Sequence, residues 1–202
     1  MRKLIGRNKT NTAVFFSGKG SNFKNLIKFS LSKNSPIKIK FAVTDNFLAK
    51  GLNIAKKHKI KKKIYNYKNK KKVENEILKD LYLNKIDLIC LAGFMKILTK
   101  NFIKKFHGKI LNIHPSLLPK YKGLNTHKRA IKNKEKFSGC SVHFVNDKLD
   151  SGKIILQKKV KINKKDTDKS LEKKVLKQEH LLYPRAIEKI FSNHRKKNRF
   201  QF

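Results

Sequence analysis

Short apolar runs alternate with amphipathic stretches through most of this chain, and that alternation leaves few folds open to it. Ala13-Val14-Phe15-Phe16 is apolar throughout and runs into a glycine turn, which predicts a buried strand. Asn22 to Ser30 places Phe23, Leu26, Ile27 and Phe29 mostly on one side of a helix. Ile37 to Val43 alternates as a strand does, and Asp45 to His58 carries Phe47, Leu48, Leu52, Ile54 and Ala55 at helical spacing. Val73 to Leu83 reads as a third amphipathic helix. Ile86 to Leu91 is apolar apart from Asp87, the pattern of a strand covered on both faces. Lys109 to Ile113, Ser141 to Val145 and Ile154 to Val160 give three more strands, and Leu171 to Phe191 a long closing helix. Lys56 to Lys72 reads as a short strand flanked by solvated loops, and Ser192 to Phe202 as a basic tail without periodicity. Strands and helices in this order, with no fixed-period repeat, predict an α/β fold: a mostly parallel twisted sheet with helices on both faces.

At 202 residues the chain has the size of one α/β domain or two small ones, and 39% hydrophobic residues suffice for a core. The charge-free stretch Leu88 to Met95 is too short to cross a bilayer, and Ala13 to Ser17 is too short for a signal-peptide core. Cys90 and Cys140 are the two cysteines and form no CxxC, which excludes a disulfide framework and makes the cytoplasm the default compartment. Lysine and arginine total 52 against 13 acidic residues, a net charge of +39 that ordinarily points to nucleic acid. Six of those cations are arginine, whereas dedicated readers of bases and phosphates lean on arginine forks. The lysines are spread over nearly every solvent-facing stretch. The favoured reading is a solvated lysine surface that attracts anionic substrates as a by-product, with a nucleic-acid surface as its rival.

Three segments can carry chemistry. Ser17-Gly18-Lys19-Gly20-Ser21-Asn22 lies between a strand and a helix, where free amides and the helix dipole suit a phosphate. Ser21 could cap that helix and donate to the anion. The segment matches neither GxGxxG nor GxxxxGK[ST], so it is either an ordinary glycine turn or a site for one phosphate monoester. In Leu111-Asn112-Ile113-His114-Pro115, strand alternation sets Asn112 and His114 on one face at the carboxyl end, where open α/β sheets bind ligands. An amide and an imidazole side by side suit an oxyanion, although a histidine at a strand end can equally be structural. Pro115, Pro119 and Gly123 shape an irregular loop beside the pair. Asp150, in the turn Asp147-Lys148-Leu149-Asp150-Ser151-Gly152, could orient and charge an imidazole, but turn aspartates are common. His58, His107, His127, His143, His180 and His194 show no metal-ligand spacing, so no metal site is expected. Cys90 reads as core, and no base can be assigned to Cys140.

Taken together, these segments resemble the phosphoribosylglycinamide formyltransferase family, folate-dependent formyltransferases of purine synthesis. The similarity rests on Ser17–Asn22, then Leu91-Ala92-Gly93-Phe94-Met95-Lys96-Ile97-Leu98, then the block from Asn112 to Gly123. Ser141-Val142-His143-Phe144-Val145, Leu149-Asp150-Ser151-Gly152, Gln178-Glu179-His180 and Tyr183-Pro184 follow in order. The Asn112–Pro119 block with an aspartate 36 residues beyond His114 marks folate formyltransferases, while the glycine turn and the Gln178-Glu179-His180 segment mark the glycinamide branch.

The resemblance implies a Rossmann-like domain over residues 12–191, with an extension at 1–11 and the basic tail at 192–202. It implies formyl transfer from 10-formyltetrahydrofolate, as cosubstrate and without a metal, to the amino group of glycinamide ribonucleotide. Asn112, His114 and Asp150 would be catalytic, with Asp150 raising the pKa of His114 and relaying protons through water. Gly20, Ser21, Asn22 and Glu179 would hold the ribonucleotide. Lys70, Met95, Lys96, Ile97, Leu98, Asn112 and the loop Asn146, Asp147, Lys148, Leu149 and Asp150 would hold the folate. Partners would be these small molecules, with no membrane or nucleic acid, in a monomer or homodimer. Asn125 departs from the histidine that some members carry. Two relatives with the same chemistry, methionyl-tRNA formyltransferase and formyltetrahydrofolate hydrolase, carry an additional domain for which this length leaves no room.

Overall fold

A computed structural model of the chain describes residues 9–197, with side chains up to residue 192. Strands β1 (Thr10–Phe16), β2 (Ile37–Thr44), β3 (Lys61–Ile64), β4 (Leu88–Leu91), β5 (Lys109–His114), β6 (Phe137–Phe144) and β7 (Ile154–Lys161) form one sheet. Helices α1 (Ser21–Leu31), α2 (Gly51–Lys57), α3 (Lys70–Leu83), α4 (Lys100–Lys105), α5 (Thr126–Lys132) and α6 (Asp168–Lys197) cover it. The strand order is β3-β2-β1-β4-β5-β6-β7; the first five are parallel, β6 is antiparallel to β5, and β7 is antiparallel to β6.

Alternation along β1 divides the core. Val14 and Phe16 face one way and pack with Phe23 and Leu26 of α1 and Leu171, Val175 and Ile187 of α6. Ala13 and Phe15 face the other way, toward Val73, Ile77 and Leu81 of α3 and Phe102 of α4. Burial on both faces accounts for the unbroken apolar runs of β1 and β4, as expected of interior parallel strands.

From β1 the chain winds outward through β2 and β3, then returns to lay β4 on the other side of β1. That reversal opens a crevice beyond the carboxyl ends of β1, β4 and β5, the place where such sheets bind ligands.

Several elements differ from the sequence reading. The helix expected over Asp45–His58 begins only at Gly51. Asn46 prevents an earlier start: its Oδ1 accepts from the Leu48 amide at 2.9 Å and its Nδ2 donates to the Ser17 carbonyl at 3.0 Å, leaving Phe47 and Leu48 in an exposed turn. Helices α4 and α5 were not anticipated. The closing helix runs on to Lys197, well into the segment read as an aperiodic tail, while residues 1–8 and 198–202 lie outside the described residues.

Pro184 sits inside α6 and cannot donate to the His180 carbonyl one turn earlier. Asn25 of α1 does so instead, at 2.6 Å, tying α1 to the helix at its weakest point. Next to the proline, the fully buried Tyr183 hydroxyl bonds the carbonyls of Leu91 and Leu111, each at 3.1 Å.

Candidate active site

A cleft of about 680 Å³ occupies the crevice. On its floor, β5 presents Asn112 and His114 from the same face of the strand. Asp150 reaches both: its Oδ1 lies 3.3 Å from Asn112 Nδ2, and its Oδ2 lies 3.3 Å from His114 Nδ1. The Asn112 amide and the His114 imidazole, from one strand, thus converge on a single anionic group. The Gly123 amide donates to Asp150 Oδ2 at 2.9 Å, clasping the loop after β6 to the loop after β5. His114 and Asp150 are both buried, at 6% and 7% side-chain exposure.

The electrostatics of this pair are opposed. Burial is the largest influence on His114 and holds its pKa below the ordinary imidazole value, although the Tyr121 carbonyl and the Asp150 charge pull upward. Asp150 does raise the His114 pKa, in the direction the resemblance implies, but burial outweighs it and the net displacement is downward. For Asp150 burial again opposes the charged form, but the nearby His143 ring, with Nε2 3.6 Å from Oδ1, the Gly123 amide and the proximity of His114 outweigh it and keep the carboxyl below its usual range. His114 Nε2 donates to the Tyr121 carbonyl at 2.8 Å, so both ring nitrogens face acceptors.

The other end of the cleft is an anion cradle. Gly20 caps α1 in the left-handed region at φ 73°, where a Cβ would lie 2.8 Å from the Gly51 Cα. Ser21 is therefore the first helical residue and does not cap the helix. The first helical bond is Lys24 N–H to the Gly20 carbonyl, so the amides of Ser21, Asn22 and Phe23 have no helical acceptor. Asn22 Nδ2 donates to Glu179 Oε2 of α6 at 2.6 Å, while its buried Oδ1 has no partner. Burial raises the Glu179 carboxyl above its ordinary value; the Asn22 bond lowers it in part, and Glu172 nearby adds to the rise.

A family model described as formyl transferase matches residues 10–187. The chain belongs to the formyl transferase family. It is 43% identical over 178 residues to a phosphoribosylglycinamide formyltransferase of Haemophilus influenzae, covering 87% of this chain and 84% of that one. It is 40% identical over 189 residues to the human trifunctional purine biosynthetic protein adenosine-3, covering 92% of this chain but only 19% of that protein's length. Among solved structures, a phosphoribosylglycinamide formyltransferase from Brucella melitensis superposes with a TM-score of 0.86 at 39% identity, covering 91% of this chain and 96% of that one. A glycinamide ribonucleotide transformylase from Symbiobacterium toebii gives 0.89 at 30% identity, covering 96% and 93%.

In this formyl transferase the cleft gathers the anticipated residues from five separate segments. Gly20, Ser21 and Asn22 line one end with Glu179. Met95, Lys96, Ile97 and Leu98 line a second wall, and Asn146, Asp147, Lys148, Leu149 and Asp150 form a third. Lys70 is the exception. Asn69 caps α3 there through the Lys72 amide, which makes Lys70 its first helical residue, exposed and not part of the lining.

The fold also brings to the cleft residues to which the sequence reading gave no role. His143 lies opposite Asn112 in the β5–β6 register. Its Nδ1 donates to the Phe144 carbonyl at 2.7 Å, which leaves Nε2 to accept from Asn112 Nδ2 at 3.2 Å and so orient the amide. Ser141 accepts from the Leu118 amide at 3.0 Å and donates to the Ser116 carbonyl at 2.6 Å, while Gln157 bonds both Ser141 and the Leu118 carbonyl. Those bonds fix the proline loop. His127 lines the cleft with its Nδ1 buried and unpartnered, and burial lowers its pKa. Among the described residues no cluster suits a metal ion, and no helix is long and apolar enough to cross a membrane.

Proposed function

We propose that this formyl transferase moves the formyl group of 10-formyltetrahydrofolate onto the amino group of glycinamide ribonucleotide. The observation that carries the reading is the convergence of Asn112 Nδ2 and His114 Nδ1 on one anionic group, in a cleft whose far end is an open phosphate cradle. The 43% identity to the Haemophilus influenzae phosphoribosylglycinamide formyltransferase supports it.

The free amides of α1 and the dipole behind them take the ribonucleotide phosphate, and Lys19 adds a cation beside them. Asn22 Oδ1 and the Glu179 carboxyl, both buried, offer hydrogen bonds to the ribonucleotide. Met95, Ile97 and Leu149 are large apolar side chains exposed on concave walls, at 62%, 58% and 48%. Such a lining fits the flat ring system of a folate, which supplies an activated formyl group on a nitrogen.

The chemistry forms a bond from the amine nitrogen to the formyl carbon, breaks the bond to the folate nitrogen, and moves one proton from the first nitrogen to the second. Asn112 and His114 hold the formyl oxygen as it gains negative charge. In their resting geometry both side chains face the Asp150 carboxylate, which lies beside that spot. Asp150 opposes the burial that would neutralise His114, which keeps the imidazolium accessible when the oxyanion develops. Release of tetrahydrofolate by purified protein, measured with and without glycinamide ribonucleotide, tests the assignment. Release that requires the ribonucleotide is expected; equal release in its absence would make the protein a hydrolase.

A further inference from the structure

Ser17, the residue ahead of the phosphate turn, is where three loops meet. Its amide donates to the Gly93 carbonyl at 3.0 Å, and its hydroxyl accepts from the Met95 amide at 2.8 Å. The same hydroxyl donates to Asp45 Oδ1, and the Ser17 carbonyl accepts from Asn46 Nδ2 at 3.0 Å. Asp45 in turn pairs with Lys96 at 3.5 Å. One step further along, the Gly18 carbonyl accepts from the Gly51 amide at 3.2 Å. The backbone bonds could form with any residue at position 17. The bonds to Met95 and Asp45 require a hydroxyl that donates and accepts at once.

Those bonds join the two walls that hold different substrates. Residues 18–22 form the anion cradle, and residues 93–98 form the wall assigned to the folate. Glycines at positive φ, Gly20 at 73° and Gly93 at 78°, sit on either side of the junction. A phosphate seated on the cradle would hold the turn that begins at Ser17, and through the Ser17 hydroxyl the Met95 amide. A second ligand would then meet a wall already held in place, the condition for positive coupling without a large structural change.

We infer that Ser17, anchored by Asp45, is a positioning residue that couples ribonucleotide binding to folate binding. This rests on the functional reading given above. The sign is positive and, by linkage, reciprocal: each ligand tightens the other by the same factor. Coupling of this kind typically falls in the range of about 5- to 150-fold.

The test is calorimetric titration of tetrahydrofolate into the protein alone and into protein saturated with glycinamide ribonucleotide. The wild type should bind the folate at least about 5-fold more tightly in the second case. In Ser17→Ala the ratio should fall to near one, and Ser17→Thr, which keeps the hydroxyl, should restore it. A purely structural role for Ser17 would weaken both binary affinities and leave the ratio intact, which overturns the inference. Should Ser17→Ala fail to fold, hydrogen exchange at the Met95 amide of the wild type decides: it slows on adding glycinamide ribonucleotide alone if the inference holds, and an unchanged rate overturns it. Binding of both ligands without mutual effect overturns the coupling and leaves the function standing; binding of neither overturns both.

Discussion

Asp150 stands 3.3 Å from the His114 ring and bears on its charge. Its charge lifts the His114 pKa against a larger burial effect. In Asp150→Asn that support disappears, so the imidazolium loses its proton at lower pH. The alkaline limb of the kcat profile should move down in pH and kcat should fall; a superimposable limb would remove Asp150 from that role. Asn112 and His114 could be read as a pair because a strand repeats every two residues, and the Pro115–Pro119 run marked where that strand ended. His143 could not be read the same way. Its place opposite Asn112 depends on the antiparallel register of β5 with β6, a long-range pairing that no local pattern encodes. Lys70 could not be placed for the converse reason: one lysine among many in a lysine-rich stretch, it is taken into the first turn of α3, outside the cleft lining.

At the scale of elements, interior strands and long helices were readable because two-faced burial and amphipathic stripes leave strong patterns. With six and seven residues, α4 and α5 span too few turns to show a period. Between β2 and α2 the apolar spacing did look helical, and the Asn46 side chain overrode it by bonding the local backbone. Pro184 offers a quantitative check. Without Asn25, the His180 carbonyl in α6 loses its donor, and Asn25→Ala should lower unfolding stability by about 1 kcal/mol. Urea denaturation reads this directly, and an unchanged midpoint with an unchanged slope would show that water replaces the bond at no cost.

For the whole molecule, charge is the dominant trait. Lysines crowd both edges of the sheet: β3 reads Lys61-Lys62-Lys63-Ile64, exposed along its length, and β7 carries Lys158, Lys159 and Lys161. Such edges resist pairing with other strands. A net charge of +39 repels itself, so added salt should raise the melting temperature; a midpoint indifferent to salt would contradict this. Acid should act in the same direction as low salt. His114, His127 and His180 are held below the ordinary imidazole value by burial. The unfolded chain takes up protons near pH ~6.5 that the folded histidines resist, so their contribution is fully present above that pH and is lost as the pH falls through it. Glu179, raised by burial, works the other way and offsets part of this loss. Melting at pH 5 should therefore lie below melting at pH 8, and a flat profile would refute the burial of these rings.

The central claim is that Asn112 and His114 stabilise charge on the transferred formyl group. Steady-state kinetics of His114→Ala with glycinamide ribonucleotide and 10-formyltetrahydrofolate tests it most directly. Its kcat should fall by about a hundredfold to a thousandfold, the cost of one oxyanion donor, with both KM values within a few-fold of wild type. Turnover close to wild type in a folded His114→Ala protein would contradict it.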